Sequence, residues 1–187
     1  MLVNWDLRST VPSDQTPHVF ETLLEAGREL GAKLCGMHMM DSCRIEKGFR
    51  HFGHDITDED HVLEAGLGFA VKTDKPNFIG RDAVLKKRED GLASRMLQFK
   101  MQDSELMLYH AEPVLRDGKI VSYLTSGNYG HALGSAIGMG YVPCEGQTAD
   151  DILASSYEIE IAGQRHACDV SLRPMYDPKS ERVKAQG

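Results

Sequence analysis

The sequence lacks the apolar runs of a membrane protein and the basic composition of a nucleic-acid-binding protein. No run approaches the roughly 18–20 apolar residues of a membrane-spanning helix, and no basic segment followed by an apolar one opens the chain. The formal net charge is −7, which argues against a nucleic-acid partner because phosphate binding requires a basic surface. We therefore expect a cytoplasmic protein that binds neither membrane nor nucleic acid.

Metal-binding and disulfide patterns are also missing from the sequence. The cysteines have no CxxC spacing and follow no secretory signal, so reduced thiols are expected. His51, His54 and His61 lie near Asp55, but the H-x-x-H spacing does not match the i, i+4 ligand pair of a helix. The sequence therefore predicts exposed loop histidines and no metal site. The four cysteines are Cys35, Cys43, Cys144 and Cys168.

No motif of a known catalytic centre is present. The glycine-rich segment 125–140 contains neither a GxGxxG fingerprint after a strand nor a phosphate-binding loop, so nucleotide binding is not predicted. Ser126 and His131 lie in this segment, but no nucleophile elbow or supporting acid accompanies them. We interpret its small residues as positions where backbones approach closely, at a barrel corner or a domain interface.

The apolar pattern predicts an α+β protein. The dipeptide Thr16-Pro17 indicates the start of a packing helix. Beyond a polar break at residues 89–91, six short β-like runs are separated by turn signals, and this predicts a small antiparallel barrel or sandwich. We expect domains at residues 1–89 and 90–178, followed by a polar tail at 179–187. The strands are expected at residues 95–101, 113–115, 119–124, 136–142, 157–162 and 165–172.

Turn signals and helical spacing add detail to this arrangement. Asp117-Gly118 is the strongest hairpin signal, and residues 126–128 are expected to form another turn. A second helix is expected over residues 38–47, with Gly48 at its C-terminal cap. Its inward side chains would be Met40, Cys43 and Ile45. Its outward or partner-facing side chains would be Asp41, Arg44, Glu46 and Lys47.

Glu64 is a candidate binding residue because it lies among apolar and small residues in the segment VLEAGLGF. Burying an unpaired carboxylate is costly, so a buried glutamate implies a donor from the protein or from a ligand. A carboxylate accepts two adjacent N–H donors in a fork, which fits an amino-pyrimidine ring as well as a guanidinium group. Two interpretations of Glu64 remain open: a structural ion pair with an arginine, and a contact with a ligand.

Two motifs carry a family resemblance. The string RIEKGFRHFGHDITDEDHVLEAGLGFAVK (residues 44–72), followed by FIGRDAVL (78–85), resembles the folate-binding part of the glycine-cleavage T-protein (aminomethyltransferase) family. Its closest similarity is to the versions fused to FAD-dependent sarcosine and dimethylglycine dehydrogenases. The later string LTSGNYGHALGSAIGMGYV (124–142) is similar to the signature of the family's C-terminal barrel domain.

The resemblance implies a fold, a cofactor and a site. It implies the C-terminal part of a folate-binding α/β domain followed by a barrel, in proteins that transfer a one-carbon unit to tetrahydrofolate. The donor would come from a lipoyl carrier protein in aminomethyltransferases, or from a flavin domain carrying FAD in the dehydrogenases. By the resemblance, Glu64 would hold the N–H donors of the pterin ring, and Arg95 would help to hold the folate.

The departure from the family pattern is equally informative. The family's essential aspartate lies in its N-terminal half, and no part of residues 1–13 resembles that segment. We therefore expect no catalytic residue here and interpret the chain as a fragment or a truncated relative, with half of a folate pocket and no turnover alone. Two alternatives are a non-catalytic module that packs against a partner, and a folate-dependent demethylase acting on sulfur or oxygen methyl groups.

Overall fold

The computed structural model describes residues 9–184 of the chain. Within that range no helix is long and apolar enough to cross a bilayer. The apolar residues Leu2, Trp5 and Leu7, whose spacing favours a strand, lie outside the described residues. The helices are α1 (Thr16–Gly27), α2 (Met37–Glu46), α3 (Arg81–Asp90), α4 (Ala149–Ala154) and α5 (Glu181–Lys184). The strands are β1 (Ser94–Met101), β2 (Pro113–Arg116), β3 (Lys119–Gly130), β4 (Ser135–Pro143), β5 (Tyr157–Ile161) and β6 (Gln164–Ser171).

The six strands close into a barrel in the order β1-β4-β3-β2-β5-β6, and the paired strands are antiparallel. Leu97 and Phe99, two positions apart in β1, are fully buried members of its core. Asp117 and Gly118 form the predicted hairpin between β2 and β3, and both have the positive φ that a primed turn requires. The predicted α+β class with an antiparallel barrel is confirmed.

Strand β3 continues through residues 126–128, so the turn predicted there is wrong. Gly127 pairs with Gly138 of β4 inside the sheet. A Cβ atom on Gly127 would lie 2.7 Å from the Tyr109 carbonyl oxygen and 2.8 Å from the Leu108 Cβ. Glycine is therefore needed because loop 106–111 passes directly over the strand, and not because the chain turns.

Helix α2 packs against the outside of the barrel, on β3 and β4. Ile45 forms a small core there with Met96, Ile137 and Met139. The helix ends at Glu46, and Gly48 closes the turn after it, because its φ of 66° allows its N–H to donate to the Ile45 carbonyl at 2.9 Å. This packing joins the N-terminal part of the chain to the barrel.

The two faces of α2 differ from the prediction. Glu46 and Lys47 are buried, whereas Met40 is half exposed. Lys47 Nζ lies 3.1 Å from Asp177 Oδ2 and also donates to the Asp177 carbonyl, which ties the C-terminal segment to the helix end. The outward position predicted for Glu46 and Lys47 is wrong because helical spacing assigns charged residues to solvent, whereas other segments of the protein cover both sides of the end of α2.

Helix α1 forms at the predicted start, but it is not a packing helix within the described residues. It ends at Gly27, and none of its residues is buried. The side chains of Phe20 and Leu23 are 49% and 62% exposed. An apolar helix face is therefore left open to solvent.

Candidate functional site

A cleft of about 830 Å³ lies between the first half of α2, strand β3 and loop 106–111. This volume is within the range of about 300–1,000 Å³ that is typical of small-molecule sites. The apolar side chains of its walls are Met37, Met39, Met107, Leu108 and Tyr109. The polar side chains include Asp41, Arg44, Ser126 and Asn128. A mostly apolar cleft with a few converging polar groups is typical of a site for an organic ligand.

Arg44, in the lining of this cleft, connects helix α2, the loop that follows it and strand β3. Its Nε donates to Asp41 Oδ1 at 2.9 Å, and its second guanidinium nitrogen donates to Asp55 Oδ2 at 2.5 Å. The third nitrogen donates to Ser126 Oγ of β3 at 2.8 Å. Because the guanidinium group is planar and always charged, these bonds fix helix, loop and strand relative to one another.

Asp55 is the buried partner in this network. Its carboxylate also accepts from the His51 N–H at 2.9 Å and from Thr125 Oγ1 at 2.7 Å, and its carbonyl accepts from Tyr141 Oη at 3.1 Å. The side chain of Asp55 has no solvent exposure. The loop that follows α2 is thereby held against the barrel, while His51 itself stays exposed at the rim of the cleft.

Asp41 is a polar group of the cleft that is available to a ligand, as are the exposed histidines of its lining, which are His38, His51, His54, His110 and His131. Its Oδ1 is bound to Arg44, while no hydrogen bond to its Oδ2 is seen within residues 9–184, and 38% of its side chain is exposed. An arginine-oriented carboxylate of this kind can accept N–H donors from a heterocycle. Sequence reasoning missed this role, although the i, i+3 spacing of Asp41 and Arg44 on a helix was visible.

Glu64 lies outside the cleft and is engaged in a structural contact. Its Oε1 accepts from Lys87 Nζ at 2.9 Å and from the N–H groups of Ala93 at 2.8 Å and Ser94 at 3.3 Å. Burial alone would raise the pKa of Glu64, but these three donors outweigh it and hold the pKa below the ordinary value of 4.5. The carboxylate thus anchors the start of β1 to α3.

Replacing Glu64 with glutamine is expected to lower the free energy of unfolding by about 1–3 kcal/mol at pH 7, because a charge-assisted acceptor is lost. The lowered pKa means that this contribution is present above pH 4.5 and disappears as the pH falls through the folded-state pKa. Urea unfolding between pH 3 and pH 7 measures the difference.

Glu89→Gln, an exposed position on α3, is the matched control for Glu64→Gln and should change stability by no more than about 0.5 kcal/mol. A Glu64→Gln difference that keeps the same size at pH 3 would contradict the ionic contact.

Arg95 lines a second cavity of about 430 Å³ at the start of β1, together with Leu63, Arg88 and Cys144. No ion pair of Arg95 is seen among the described residues. Glu64 bonds to the adjacent residue Ser94, so the structure brings the two predicted folate residues to the same region. Neither of them lines the cleft beside α2. Their assignment to a folate site stays a prediction.

Glu46 is a second carboxylate whose environment the sequence did not indicate. It is fully buried, and its Oε1 accepts from the N–H groups of Ala132 at 2.6 Å and Leu133 at 3.0 Å. Its Oε2 is buried and has no hydrogen-bond partner in the described part of the chain. Glu46 is therefore more deeply buried than Glu64, whose burial the sequence left open.

Within residues 9–184, no three side chains of histidine, cysteine, aspartate or glutamate come close enough together to hold a metal ion. The rings of His51 and His54 lie 4.6 Å apart at the exposed rim of the cleft.

Two family models match consecutive parts of the chain. Residues 9–75 match the GCVT N-terminal domain, and residues 95–177 match the glycine cleavage T-protein C-terminal barrel domain. The crystal structure of glycine cleavage system aminomethyltransferase T from Bartonella henselae superposes with a TM-score of 0.76 at 25% identity. That superposition covers 90% of this chain and 45% of the other.

Curated relatives include enzymes of two kinds. The 4-methylaminobutanoate oxidase (formaldehyde-forming) of Paenarthrobacter nicotinovorans is 40% identical over 173 residues, covering 92% of this chain and 20% of that protein. The aminomethyltransferase of Halothermothrix orenii is 40% identical over 129 residues, covering 69% and 36%. The mitochondrial sarcosine dehydrogenase of Homo sapiens is 32% identical over 186 residues, covering 97% and 20%. The chain thus spans between a fifth and less than half of these relatives.

Proposed function

The chain belongs to the glycine cleavage T-protein family, and from this premise we propose that it forms the C-terminal region of a tetrahydrofolate-dependent one-carbon transferase. Support comes from the order of the two matched domains and from relatives named aminomethyltransferase and sarcosine dehydrogenase. We include in the proposal a domain division near residue 90, where α3 ends and β1 follows.

The observation that carries the proposal is the cleft beside α2. It lies where the two matched domains meet, and Arg44 and Ser126, one from each domain, bond across the junction. The cleft fits a reduced pterin: its walls offer apolar contacts to the ring faces, and the Asp41 carboxylate offers an acceptor to the ring N–H donors.

In this proposal the residues of the chain bind and orient the cofactor. Bound tetrahydrofolate supplies the nitrogen atoms that accept the one-carbon unit. Asp41, held by Arg44, would orient the pterin, and Leu108 and Tyr109 would shield it from water on the side of the barrel. Glu64 and Arg95 form the alternative position for the folate, and Glu64 could contact it only through Oε2, because Oε1 already accepts three donors.

The one-carbon unit has two candidate sources. A flavin domain would deliver it in a dehydrogenase-type protein, and a lipoyl carrier protein would deliver it in an aminomethyltransferase. The oxidase and the aminomethyltransferase of Halothermothrix orenii are each 40% identical to this chain over their matched segments, so both sources stay in the proposal. A reducing compartment such as the cytoplasm fits the four free cysteines.

We expect this chain alone to bind folinic acid weakly or not at all, because it covers 45% of the solved aminomethyltransferase and so holds only part of the proposed folate site. The complete transferase, meaning this chain together with the N-terminal part of the family fold, should bind folinic acid with micromolar affinity. Isothermal titration calorimetry of both proteins tests the proposal. Micromolar binding by the chain alone would contradict the half-pocket, and no binding by either protein would contradict the proposed function.

A further inference from the structure

We propose that His131, positioned by the buried carboxylate of Glu46, binds the glutamate carboxylates of the folate. This inference rests on the proposed function and adds a second contact to it, because Asp41 is assigned to the pterin end of the same ligand. The segment that links the two residues is the turn between β3 and β4, residues 131–134, which we call the β3–β4 turn.

Glu46 is a buried charge whose side-chain hydrogen bonds go to the β3–β4 turn. Its Oε1 accepts from the N–H groups of Ala132 at 2.6 Å and Leu133 at 3.0 Å, and it forms no ion pair within residues 9–184. A buried carboxylate without a cation is costly, but hydrogen bonds that it accepts from N–H groups are about twice as strong as neutral ones. The position of the β3–β4 turn therefore depends on Glu46.

Helix α2 holds the adjoining part of β3 with the same face. His38, Ser42 and Glu46 follow one another at a spacing of four residues, so they share one face of the helix. The His38 carbonyl accepts from Asn128 Nδ2 at 3.4 Å, and Ser42 Oγ donates to the Tyr129 carbonyl at 2.6 Å. These contacts fix the end of β3 relative to α2.

Gly130 allows the turn to approach Glu46 closely. A Cβ atom on Gly130 would lie 3.1 Å from Glu46 Oε1 and 3.0 Å from Ile137 Cδ1. The Gly130 carbonyl accepts from the Gly134 N–H at 2.8 Å, which closes the turn. The backbone of the turn is thus packed directly against the buried carboxylate.

His131 carries a polar side chain from this turn to the cleft beside α2. It lines the cleft, and its ring packs edge-on against Tyr129 with 5.2 Å between the ring centroids. The imidazole is exposed, and no hydrogen bond to it is seen within the described part of the chain. An imidazole N–H can donate to a carboxylate. Because Glu46 holds the turn but does not line the cleft, it is a positioning residue for His131.

The polar groups at the two ends of the cleft fit the two ends of a folate, whose pterin and glutamate are separated by an aminobenzoyl ring. Arg44 joins Asp41 to Ser126 of β3, and His131 follows Ser126 by five positions, about 16 Å along an extended strand. Among the described residues that line the cleft, Asp41 is the only carboxylate. The end of the cleft at His131 therefore has no negative side chain to repel the glutamate.

The test compares folinic acid with its α,γ-dimethyl ester, which has the same skeleton without the two negative charges. We expect the complete transferase to bind folinic acid at least tenfold more tightly than the diester. His131→Phe keeps a ring against Tyr129 but removes the N–H donors, so it should reduce this preference to threefold or less and leave the affinity for the diester unchanged. Isothermal titration calorimetry at pH 7 measures both affinities. His18→Phe, an exposed position on α1 outside the cleft, is the matched control and should keep the full preference.

Variants of Glu46 test its positioning role with the same two ligands. Glu46→Leu removes the acceptor for the β3–β4 turn and should reduce the preference as His131→Phe does, whereas Glu46→Gln, whose amide oxygen can still accept, should keep it. Lys47→Met is the control for lost stability, because Lys47 is buried at the same helix end but bonds to Asp177. It should lower the melting temperature without changing the preference.

Four results would overturn the inference. They are equal binding of folinic acid and the diester by the unsubstituted protein, a full preference in His131→Phe, a full preference in a folded Glu46→Leu variant, and an equal loss of preference in Lys47→Met. His131 is exposed, so His131→Phe decides the matter even where Glu46→Leu does not fold. Binding of neither ligand by the unsubstituted protein would instead contradict the proposed function, and this inference with it.

Discussion

Replacing Arg44 with methionine should lower the free energy of unfolding by about 3–5 kcal/mol. The substitution keeps most of the side-chain volume but leaves the Asp55 carboxylate, which has no solvent exposure, without its charged partner. Breaking a buried pair from one side costs this much because the remaining charge is buried and uncompensated. Urea unfolding monitored by circular dichroism at pH 7 measures the loss.

Arg28→Met provides the matched control for this prediction. Arg28 pairs with Glu25 at the i, i+3 spacing that Arg44 and Asp41 also have, but the side chains of both Arg28 and Glu25 are largely exposed. An exposed pair contributes about 0–1 kcal/mol, so the control should be almost neutral. The double variant Arg44→Met with Asp55→Asn should recover part of the loss. Equal effects of Arg44→Met and Arg28→Met would contradict the structural role of the network.

Asp41→Asn should weaken folinic acid binding by the complete transferase by at least tenfold, about 1.4 kcal/mol, because the ring N–H donors lose a charged acceptor. Asparagine can still accept from Arg44, so the free energy of unfolding should change little. Isothermal titration calorimetry at pH 7 measures the affinity.

Asp58→Asn, an exposed loop position, is the control for Asp41→Asn and should bind folinic acid normally. Glu64→Gln belongs in the same series, because it tests the alternative position for the folate. Normal affinity in Asp41→Asn together with weakened affinity in Glu64→Gln would move the site to the start of β1.

The positions of the strands could be predicted because apolar runs alternate with turn signals and antiparallel hairpins depend on local sequence, although β3 extends six residues beyond its predicted end. Gly127 is a position at which a prediction from local sequence fails. A Ser-Gly-Asn sequence has the composition of a turn. At Gly127, however, the missing side chain leaves room for loop 106–111 to pass close to the strand, and this contact joins residues that are distant in the sequence. Local composition does not distinguish a turn from a crossing of two backbones.

The contacts of Glu64, Glu46 and Lys47 could not be predicted from local sequence patterns either. The donors to Glu64 come from Lys87 and from the backbone at residues 93–94, positions 23–30 residues away that no local pattern connects to it. Glu46 and Lys47 are buried because β4, loop 131–133 and the C-terminal segment surround the end of α2. Such coverage is a tertiary property, whereas helical spacing assigns both residues to solvent.

The most direct test of the proposed site is amide hydrogen exchange of the complete transferase with and without folinic acid. We expect slower exchange in residues 37–44 and 125–129, the two sides of the cleft, with no change around Ala93 and Arg95. Slower exchange confined to residues 63–65 and 93–95 would contradict the placement of the folate in the cleft. No change in either region at saturating folinic acid would contradict a folate site in this chain.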